Sequence, residues 1–423
     1  VTVTGSGGAG GSPPGAGGSS LGNGGAVPGV GGADGAAPGM GGTTATGGAG
    51  GATAGSTTGC DATTLLANPA DPSARGPWPV GEKTFTVTRS SGVSFKVEVL
   101  YPAQAGSDAG KPVMTYDLRT WLPDSQRSKV ADQDATSVNA GTYADLPFDT
   151  SHGPYPVIVL VHGTGSFRVA SWTSQATWAS RGFVVLAADH PNLCLTDYLS
   201  SGCGMTVPPL DLSGDVDAEL AAVKSATGDV AFLSGHVDPT RVGLAGHSAG
   251  AWNVAQFSGK PGVEVVVPLS GTHAVTASSS LKSVAFIGGM SDTVLPYATG
   301  TGIGSILYPG TQVAAYQGSP GTPVKKRLLG ITGGGHLSVT DLCQVNSSGK
   351  NSLQVAQAAG VCGLGILPSL FDCGTVDRLQ SIKAVDDLST AVFEETLQCQ
   401  DRAAVISATK SRNAVVGDFQ EAK

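Results

Sequence analysis

The sequence has few charged and few aromatic residues, which make up 13% and 6% of its 423 positions. Its formal net charge is −8, and its one uninterrupted run of three cations is residues 325–327. A nucleic-acid scaffold would carry a basic stripe, so we expect no nucleic-acid partner. No stretch approaches the roughly 18 uncharged apolar residues of a membrane helix, so we expect no membrane-spanning segment.

Residues 1–59 contain no aromatic residue and a single charged residue, Asp34, but 24 of the 63 glycines. Such a segment cannot bury enough apolar surface to offset the entropy lost on ordering. We therefore predict a disordered Gly/Ala/Ser/Thr-rich spacer over residues 1–59 and a folded domain over residues 60–423. The spacer either tethers the domain to a surface or is plain low-complexity chain, and the sequence leaves both interpretations open.

None of the seven cysteines has the C-x-x-C spacing of a zinc or redox site. Their number favours disulfides and an extracytoplasmic location, secreted or tethered to the cell surface. Cys194 and Cys203 can close a short loop, and the four cysteines over residues 343–399 can staple the C-terminal segment, although the pairing is not deducible from sequence. The count is odd, and Cys60, at the spacer junction, is the candidate for the cysteine left over.

The folded part alternates between strand and helix patterns. Residues 85–99 alternate with period two and predict a β-hairpin. Continuous apolar runs, typical of strands buried on both faces, occur at residues 156–161, 183–188, 242–245, 263–267, 284–287 and 328–331. Stretches that can form helices lie between them, including residues 171–180 and 215–233. The pattern predicts an α/β fold with a mainly parallel central sheet and helices on both faces.

A G-x-S-x-G pattern follows the predicted strand 242–245 and precedes a stretch that can form a helix. Its central residue is Ser248, flanked by Gly246 and Gly250. In a strand–turn–helix context this pattern forms a sharp turn that projects the serine hydroxyl into a cleft. The motif alone is weak in a glycine-rich chain, so the flanking elements carry the prediction that Ser248 is a nucleophile.

A serine nucleophile needs a base and an acid, and in this fold they follow it in the order acid, then histidine. Only His273 and His336 follow Ser248, and His336 is preferred because a Gly-rich loop joins it to the strand 328–331. Asp292 follows the strand 284–287 and is the predicted acid. The alternative is a helix N-cap, and the two interpretations differ in how deeply Asp292 is buried. Asp341 comes after His336 and is interpreted as structural.

The oxyanion formed during acyl transfer needs two backbone N–H donors. Ala249, the residue after the nucleophile, supplies one. The loop of residues 162–165, which follows the first apolar strand, supplies the other through Thr164, because glycines on both sides of Thr164 allow its backbone close to the substrate.

These segments resemble the α/β-hydrolase superfamily, and within it the platelet-activating-factor acetylhydrolase-like and dienelactone-hydrolase-like esterases, with similarity also to bacterial cutinases and polyester hydrolases. The resemblance rests on residues 161–168, 179–185, 189–190 and 246–250, on Asp292 and on residues 335–336. It implies an ester hydrolase in which the substrate acylates Ser248 and His336 acts as the base, with no cofactor. Dienelactone hydrolases carry cysteine where this chain has Ser248, which favours ordinary esters.

Substrate contacts are harder to assign. Trp172 and Trp178 are interpreted as core residues, and Asp189 with His190 is too small a set for a metal site. The residues predicted to bind substrate are His162, Gly163, Gly165, Phe167, His247 and Trp252. Insertions at about 102–155 and 191–214, together with the cysteine-bearing segment 341–423, can roof the pocket.

The sequence therefore predicts a monomeric serine carboxylesterase acting on small or polymeric esters. A polyester or cutinase-type hydrolase and an amide or peptide hydrolase on the same three residues remain alternatives. The non-enzyme alternative is an inactive binding protein on a hydrolase scaffold.

Overall fold

The fold is seen in a computed structural model that describes residues 55–347 and 349–422. Most of the predicted disordered spacer, residues 1–54, lies outside the described residues. Residues 55–59 are described and contain a short strand, Ser56–Thr58.

The strands, in chain order, are β1 (Ser56–Thr58), β2 (Thr64–Leu66), β3 (Val80–Thr88), β4 (Ser94–Pro102), β5 (Tyr116–Asp117), β6 (Ser137–Val138), β7 (Tyr143–Ala144), β8 (Tyr155–Val161), β9 (Val184–Ala188), β10 (Val237–His247), β11 (Val263–Leu269), β12 (Ser283–Gly289), β13 (Lys325–Ile331), β14 (Asn346–Ser347), β15 (Lys350–Asn351) and β16 (Val416–Ala422). The helices are α1 (Asp124–Arg127), α2 (Trp172–Ser180), α3 (Leu195–Gly202), α4 (Leu212–Ser225), α5 (Ala249–Val254), α6 (Gln312–Gly318), α7 (Ser352–Ala358), α8 (Leu367–Leu370), α9 (Arg378–Leu397), α10 (Ala403–Ser407) and α11 (Thr409–Arg412).

A ten-stranded sheet in the order β16-β13-β12-β11-β10-β8-β9-β4-β3-β7 forms the centre of the described chain. Strands β9, β8, β10, β11, β12 and β13 are parallel to their neighbours, and β4 and β16 join this group antiparallel at its two ends. The six continuous apolar runs lie in these six parallel strands. The prediction of an α/β fold with a mainly parallel sheet is confirmed, and so is the predicted hairpin, formed by β3 and β4.

Helices cover both faces of the sheet because the parallel strands are apolar on both sides. Side chains of α4, α5 and α6 pack on one face, and side chains of α2, α9 and α10 pack on the other. The helix predicted at residues 215–233 is shorter than expected. Helix α4 ends at Ser225 because Ala226 adopts a left-handed conformation with φ 43°, and a separate 3-10 turn follows at Gly228–Leu233.

The long helix α9 carries acidic side chains into the protein interior, where each has a partner. Glu394 pairs with Arg181 at 2.7 Å, and both side chains are fully buried. Asp386 accepts hydrogen bonds from Ser174 and Thr177 of α2. Because removing one member of a buried pair leaves the other uncompensated, these contacts fix how α9 lies against α2.

Three disulfides link distant parts of the described chain: Cys60–Cys399, Cys203–Cys362 and Cys343–Cys373. Two expectations about individual cysteines are therefore wrong. Cys194 and Cys203 lie at opposite ends of α3, about 13.5 Å apart at 1.5 Å per residue, which is too far for a disulfide. Cys194 is instead a buried free thiol, and Cys60 is paired because residues 57–60 pack against the end of α9.

In the part of the chain that the structure describes, no helix has both the length and the apolar character needed to span a bilayer.

Candidate active site

The predicted nucleophile lies at a sharp turn between β10 and α5. Ser248 has φ 55° and ψ −117°, an unusual conformation for a residue other than glycine. A methyl group on Gly250 would lie 2.1 Å from the carbonyl oxygen of Val161, at the end of the neighbouring strand β8. Glycine is required there so that the turn can sit against the sheet, which holds Ser248 at the carboxyl end of the parallel strands.

The imidazole of His336 lies beside the Ser248 hydroxyl. Its Nε2 is 2.8 Å from Ser248 Oγ, and the ring is almost completely buried. The loop of residues 332–335 carries His336 back from the end of β13. The alternative base, His273, instead makes a hydrogen bond of 2.7 Å with its neighbour's carbonyl at Ala274 and packs edge-on against Trp252.

The carboxylate of Asp292 lies on the far side of the same imidazole. Asp292 Oδ2 is 2.9 Å from His336 Nδ1. Its Oδ1 accepts hydrogen bonds of 2.8 Å from the amides of Val294 and Leu295. These close a turn, but no helix begins there, so Asp292 is not a helix N-cap. A carboxylate accepts only, which makes His336 Nδ1 the donor and leaves Nε2 to accept from Ser248.

Asp341 lies apart from this chain of hydrogen bonds. It is buried at the N-terminus of α2, where it accepts a hydrogen bond from the Thr173 amide at 2.7 Å. Burial raises the pKa of its carboxyl to about 7. Its contacts agree with the structural interpretation.

The loop of residues 162–165 passes directly over the turn at Ser248. A methyl group on Gly163 would lie 3.0 Å from Ser248 Cβ, and Gly165 has φ +64°, a conformation that favours glycine. Thr164 lines the same cleft, and its side chain is hydrogen-bonded to the Tyr308 hydroxyl. The amide of Thr164 thus lies on a loop that contacts the nucleophile. The amide of Ala249 belongs to the residue directly after Ser248.

A cleft of about 550 Å³, its open mouth included, surrounds Ser248 and His336. Of the residues predicted to bind substrate, Gly163, Gly165, Phe167 and His247 line it. His162 and Trp252 do not. The Nδ1 of His162 hydrogen-bonds the Gly163 carbonyl at 2.8 Å and its Nε2 accepts from the His190 amide, whereas Trp252 packs against His273 and Tyr308.

The family model of platelet-activating factor acetylhydrolase, isoform II, matches residues 67–199. The match supports a platelet-activating-factor acetylhydrolase-like esterase of the α/β-hydrolase type. It covers strands β3 to β9 and the loop of residues 162–165. Ser248, Asp292 and His336 lie outside the matched residues, so their roles rest on the geometry described above.

Sequence reasoning missed two residues that hold the imidazole and the carboxylate. Gln312, at the start of α6, donates through Nε2 to Asp292 Oδ2 at 3.2 Å and is almost fully buried. Asp372, in the C-terminal segment, accepts from the amide and hydroxyl of Thr293 at 2.9 and 2.8 Å. No motif marks either residue, because each comes from an element far away in sequence.

Asp372 connects the two loops that carry the acid and the base. Burial alone would raise its pKa, but hydrogen bonds from Thr293, from Gly374 and from the His336 backbone outweigh burial and lower that pKa. The disulfide Cys343–Cys373 anchors the segment next to Asp372. The C-terminal segment therefore helps to fix the position of His336.

Asp189 and His190, considered for a metal, are already occupied by protein partners. Asp189 accepts from the Trp121 indole and from the Arg168 backbone, each at 2.9 Å. His190 lies 3.3 Å from Asp215. Across residues 55–347 and 349–422 no group of three or more His, Cys, Asp or Glu side chains is arranged to hold a metal ion.

His247 supports the loop that carries His336, and its imidazole is neutral. Its Nε2 donates a 3.0 Å hydrogen bond to the His336 carbonyl oxygen, which the Ser270 hydroxyl also contacts at 3.3 Å. Burial, with a smaller contribution from the nearby His336, lowers the pKa of His247 to about 3 from the ordinary 6.5. The folded protein therefore resists protonation of a ring that the unfolded chain protonates readily.

We expect a pH-dependent difference in stability between the wild-type protein and His247→Gln. Because the folded-state pKa is depressed, the stability that this histidine contributes falls as pH drops from 6.5 towards 3. Relative to the variant, the wild-type protein should lose about 2 kcal/mol of unfolding free energy between pH 7.5 and pH 5. Urea unfolding of both proteins at the two pH values measures the difference. An equal difference at both pH values contradicts a buried neutral His247.

Proposed function

We propose that the protein is a serine hydrolase that cleaves carboxylic esters through an acyl-enzyme intermediate. One observation carries the proposal: the Ser248 hydroxyl, the His336 imidazole and the Asp292 carboxylate form a continuous chain of hydrogen bonds of 2.8 and 2.9 Å. The order of the three residues along the chain, Ser, Asp, His, is that of α/β-hydrolases.

In the proposed reaction, His336 Nε2 takes the proton of Ser248 as Oγ attacks the ester carbonyl carbon. The negative charge that develops on the carbonyl oxygen is stabilised by the amides of Thr164 and Ala249. His336 then gives the proton to the departing alkoxide, which leaves Ser248 acylated. A water molecule, deprotonated by the same ring, attacks the acyl group and restores the serine. Asp292 keeps the ring in the required tautomer and stabilises its protonated form.

The C-terminal segment covers part of the cleft, which favours small or medium-sized esters as substrates over solid polyester. Side chains Leu353, Leu367, Leu370 and Phe371 of the C-terminal segment line the cleft together with Leu195. We accordingly propose that residues 60–423 act as one catalytic domain, in which segments 102–155, 191–214 and 341–423 supply walls around the site. An open groove for a polymer chain would have less covering.

We also infer that the protein works outside the cytoplasm, secreted or tethered to the cell surface. Three disulfides are consistent with an extracellular protein, because such bonds persist in oxidising compartments.

The proposal is tested by combining turnover with active-site labelling. We expect hydrolysis of p-nitrophenyl acetate and modification of Ser248 by a fluorophosphonate, located by peptide mass spectrometry. Turnover of matched anilides without turnover of the esters would favour the amide hydrolase instead. If Ser248 is not modified and no ester is cleaved, the inactive binding protein replaces this proposal.

A further inference from the structure

A second cavity lies behind the wall of the cleft. Its volume is about 590 Å³, its opening to solvent included, and we refer to it as the side chamber. The apolar residues that line the side chamber and not the cleft include Leu122, Val130, Ala135, Leu199, Val355 and Ala356. Four residues line both cavities: Phe167, Leu195, Ser352 and Leu353. The two cavities therefore adjoin across a shared partition next to the Ser248 cleft.

The chemistry of the side chamber suits a hydrocarbon chain. Leu122, Val130 and Leu199 are buried in one apolar cluster with side chains of α7. Its polar lining residues are only partly buried, and one of them, Arg119, pairs with Asp117 and Asp132. The others are Asp134, Thr136 and Ser352. An apolar chain entering this space would leave water without stranding a buried polar group.

The side chamber is held in shape by covalent and close backbone contacts. The disulfide Cys203–Cys362 joins the end of α3 to the segment after α7. The backbones touch there as well, because a methyl group on Gly363 would lie 2.2 Å from the Leu199 carbonyl oxygen. A preformed pocket of this kind costs little ordering entropy when a flexible chain binds.

The position of the side chamber indicates which half of an ester would enter it. His336 must return its proton to the alkoxide, so the alcohol lies on the His336 side of the reacting carbon. Leu337 and Leu342, which follow His336 in sequence, line the cleft but not the side chamber. Phe167 lines both cavities and lies three residues after Thr164, so we infer that the side chamber is on the acyl side of the reacting carbon.

We propose that the side chamber binds the hydrocarbon chain of the acyl group, so that the preferred substrates are esters of medium-chain fatty acids. The inference rests on the proposed esterase function and adds the substrate class to it. Each methylene moved from water into the chamber favours the transition state by about fourfold, which makes kcat/KM rise with acyl length until the chamber is full.

The test compares p-nitrophenyl octanoate with p-nitrophenyl acetate in chamber-filling variants. Ala135, half-buried, and Ala356, buried on α7, both line the side chamber. In Ala135→Phe and Ala356→Phe we expect the octanoate-to-acetate ratio of kcat/KM to fall by about tenfold or more. Ala109→Phe, an exposed position in the same 102–155 segment, is the matched control and should keep the wild-type ratio. Thermal unfolding identifies any variant that fails to fold.

The outcomes separate this inference from the function on which it rests. If the wild-type protein cleaves neither ester, both proposals fail. If it cleaves acetate but the ratio is the same in Ala135→Phe and Ala109→Phe, the side chamber does not hold the acyl chain and only this inference fails. If Ala135→Phe lowers kcat/KM for octyl acetate but leaves kcat/KM for p-nitrophenyl octanoate unchanged, the side chamber binds the alcohol, and the proposal is overturned.

Discussion

Replacing Ser248 by alanine is expected to lower kcat for ester hydrolysis on the order of 10⁶-fold. The hydroxyl is the only atom in the proposed scheme that bonds to the acyl group, and water held in its place lacks the alignment with His336 Nε2. Turnover of p-nitrophenyl acetate and labelling by a fluorophosphonate measure the loss. The unfolding free energy should change by no more than about 1 kcal/mol, because alanine occupies the same backbone conformation.

The matched control for this prediction is Ser225→Ala. Ser225 is exposed at the end of α4, where its hydroxyl donates to the Ala222 carbonyl. This variant should retain wild-type turnover and labelling. Residual turnover above a hundredth of the wild-type rate in Ser248→Ala, in protein free of contaminating esterase, would contradict the role of Ser248.

The second large effect is expected for Asp292→Asn, which should lower kcat by about 10⁴-fold. The reason lies in how Asp292 is held. Its Oδ1 accepts from the amides of Val294 and Leu295, so an asparagine oxygen must occupy that position. The asparagine NH₂ then points at His336 Nδ1 and donates to it. His336 is forced to carry its proton on Nε2, where it can no longer accept from Ser248.

Asp341→Asn is the corresponding control, because Asp341 is also buried and hydrogen-bonded. Its pKa of about 7 leaves it largely protonated in weakly acidic solution, a form that asparagine imitates. We expect kcat to stay within about threefold of the wild-type value. Steady-state kinetics on both variants decide the matter: an Asp292→Asn enzyme with more than a tenth of wild-type kcat would show that the carboxylate does not set the tautomer.

The central sheet could be predicted because its signal is local. Each of the six apolar runs is a strand buried on both faces, and the buried strand β8 ends where the loop of residues 162–165 begins. Helix α9 was missed for the opposite reason. Its apolar residues are interrupted by Asp386, Asp387 and Glu394, whose partners lie on other elements and cannot be recognised from the sequence of α9 alone.

The residues of the candidate site also fall into a group that the sequence predicts and a group that it does not. Ser248, Asp292 and His336 follow strands of the parallel sheet, and their order along the chain sufficed to propose them. Gln312 and Asp372, which hold the acid and base in position, are supplied by elements with no motif. The partition between the cleft and the side chamber depends on how the C-terminal segment folds back over the sheet, which composition and spacing do not reveal.

The bridge between Cys60 and Cys399 spans 339 residues and so encloses nearly all of the described chain. During synthesis Cys60 emerges early, and its partner emerges only after the whole sheet except β16 has been made. The bridge between Cys60 and Cys399 therefore cannot close until nearly all of the chain between them has been made. Once both cysteines are present, the bridge ties the chain around Cys60 to the end of α9.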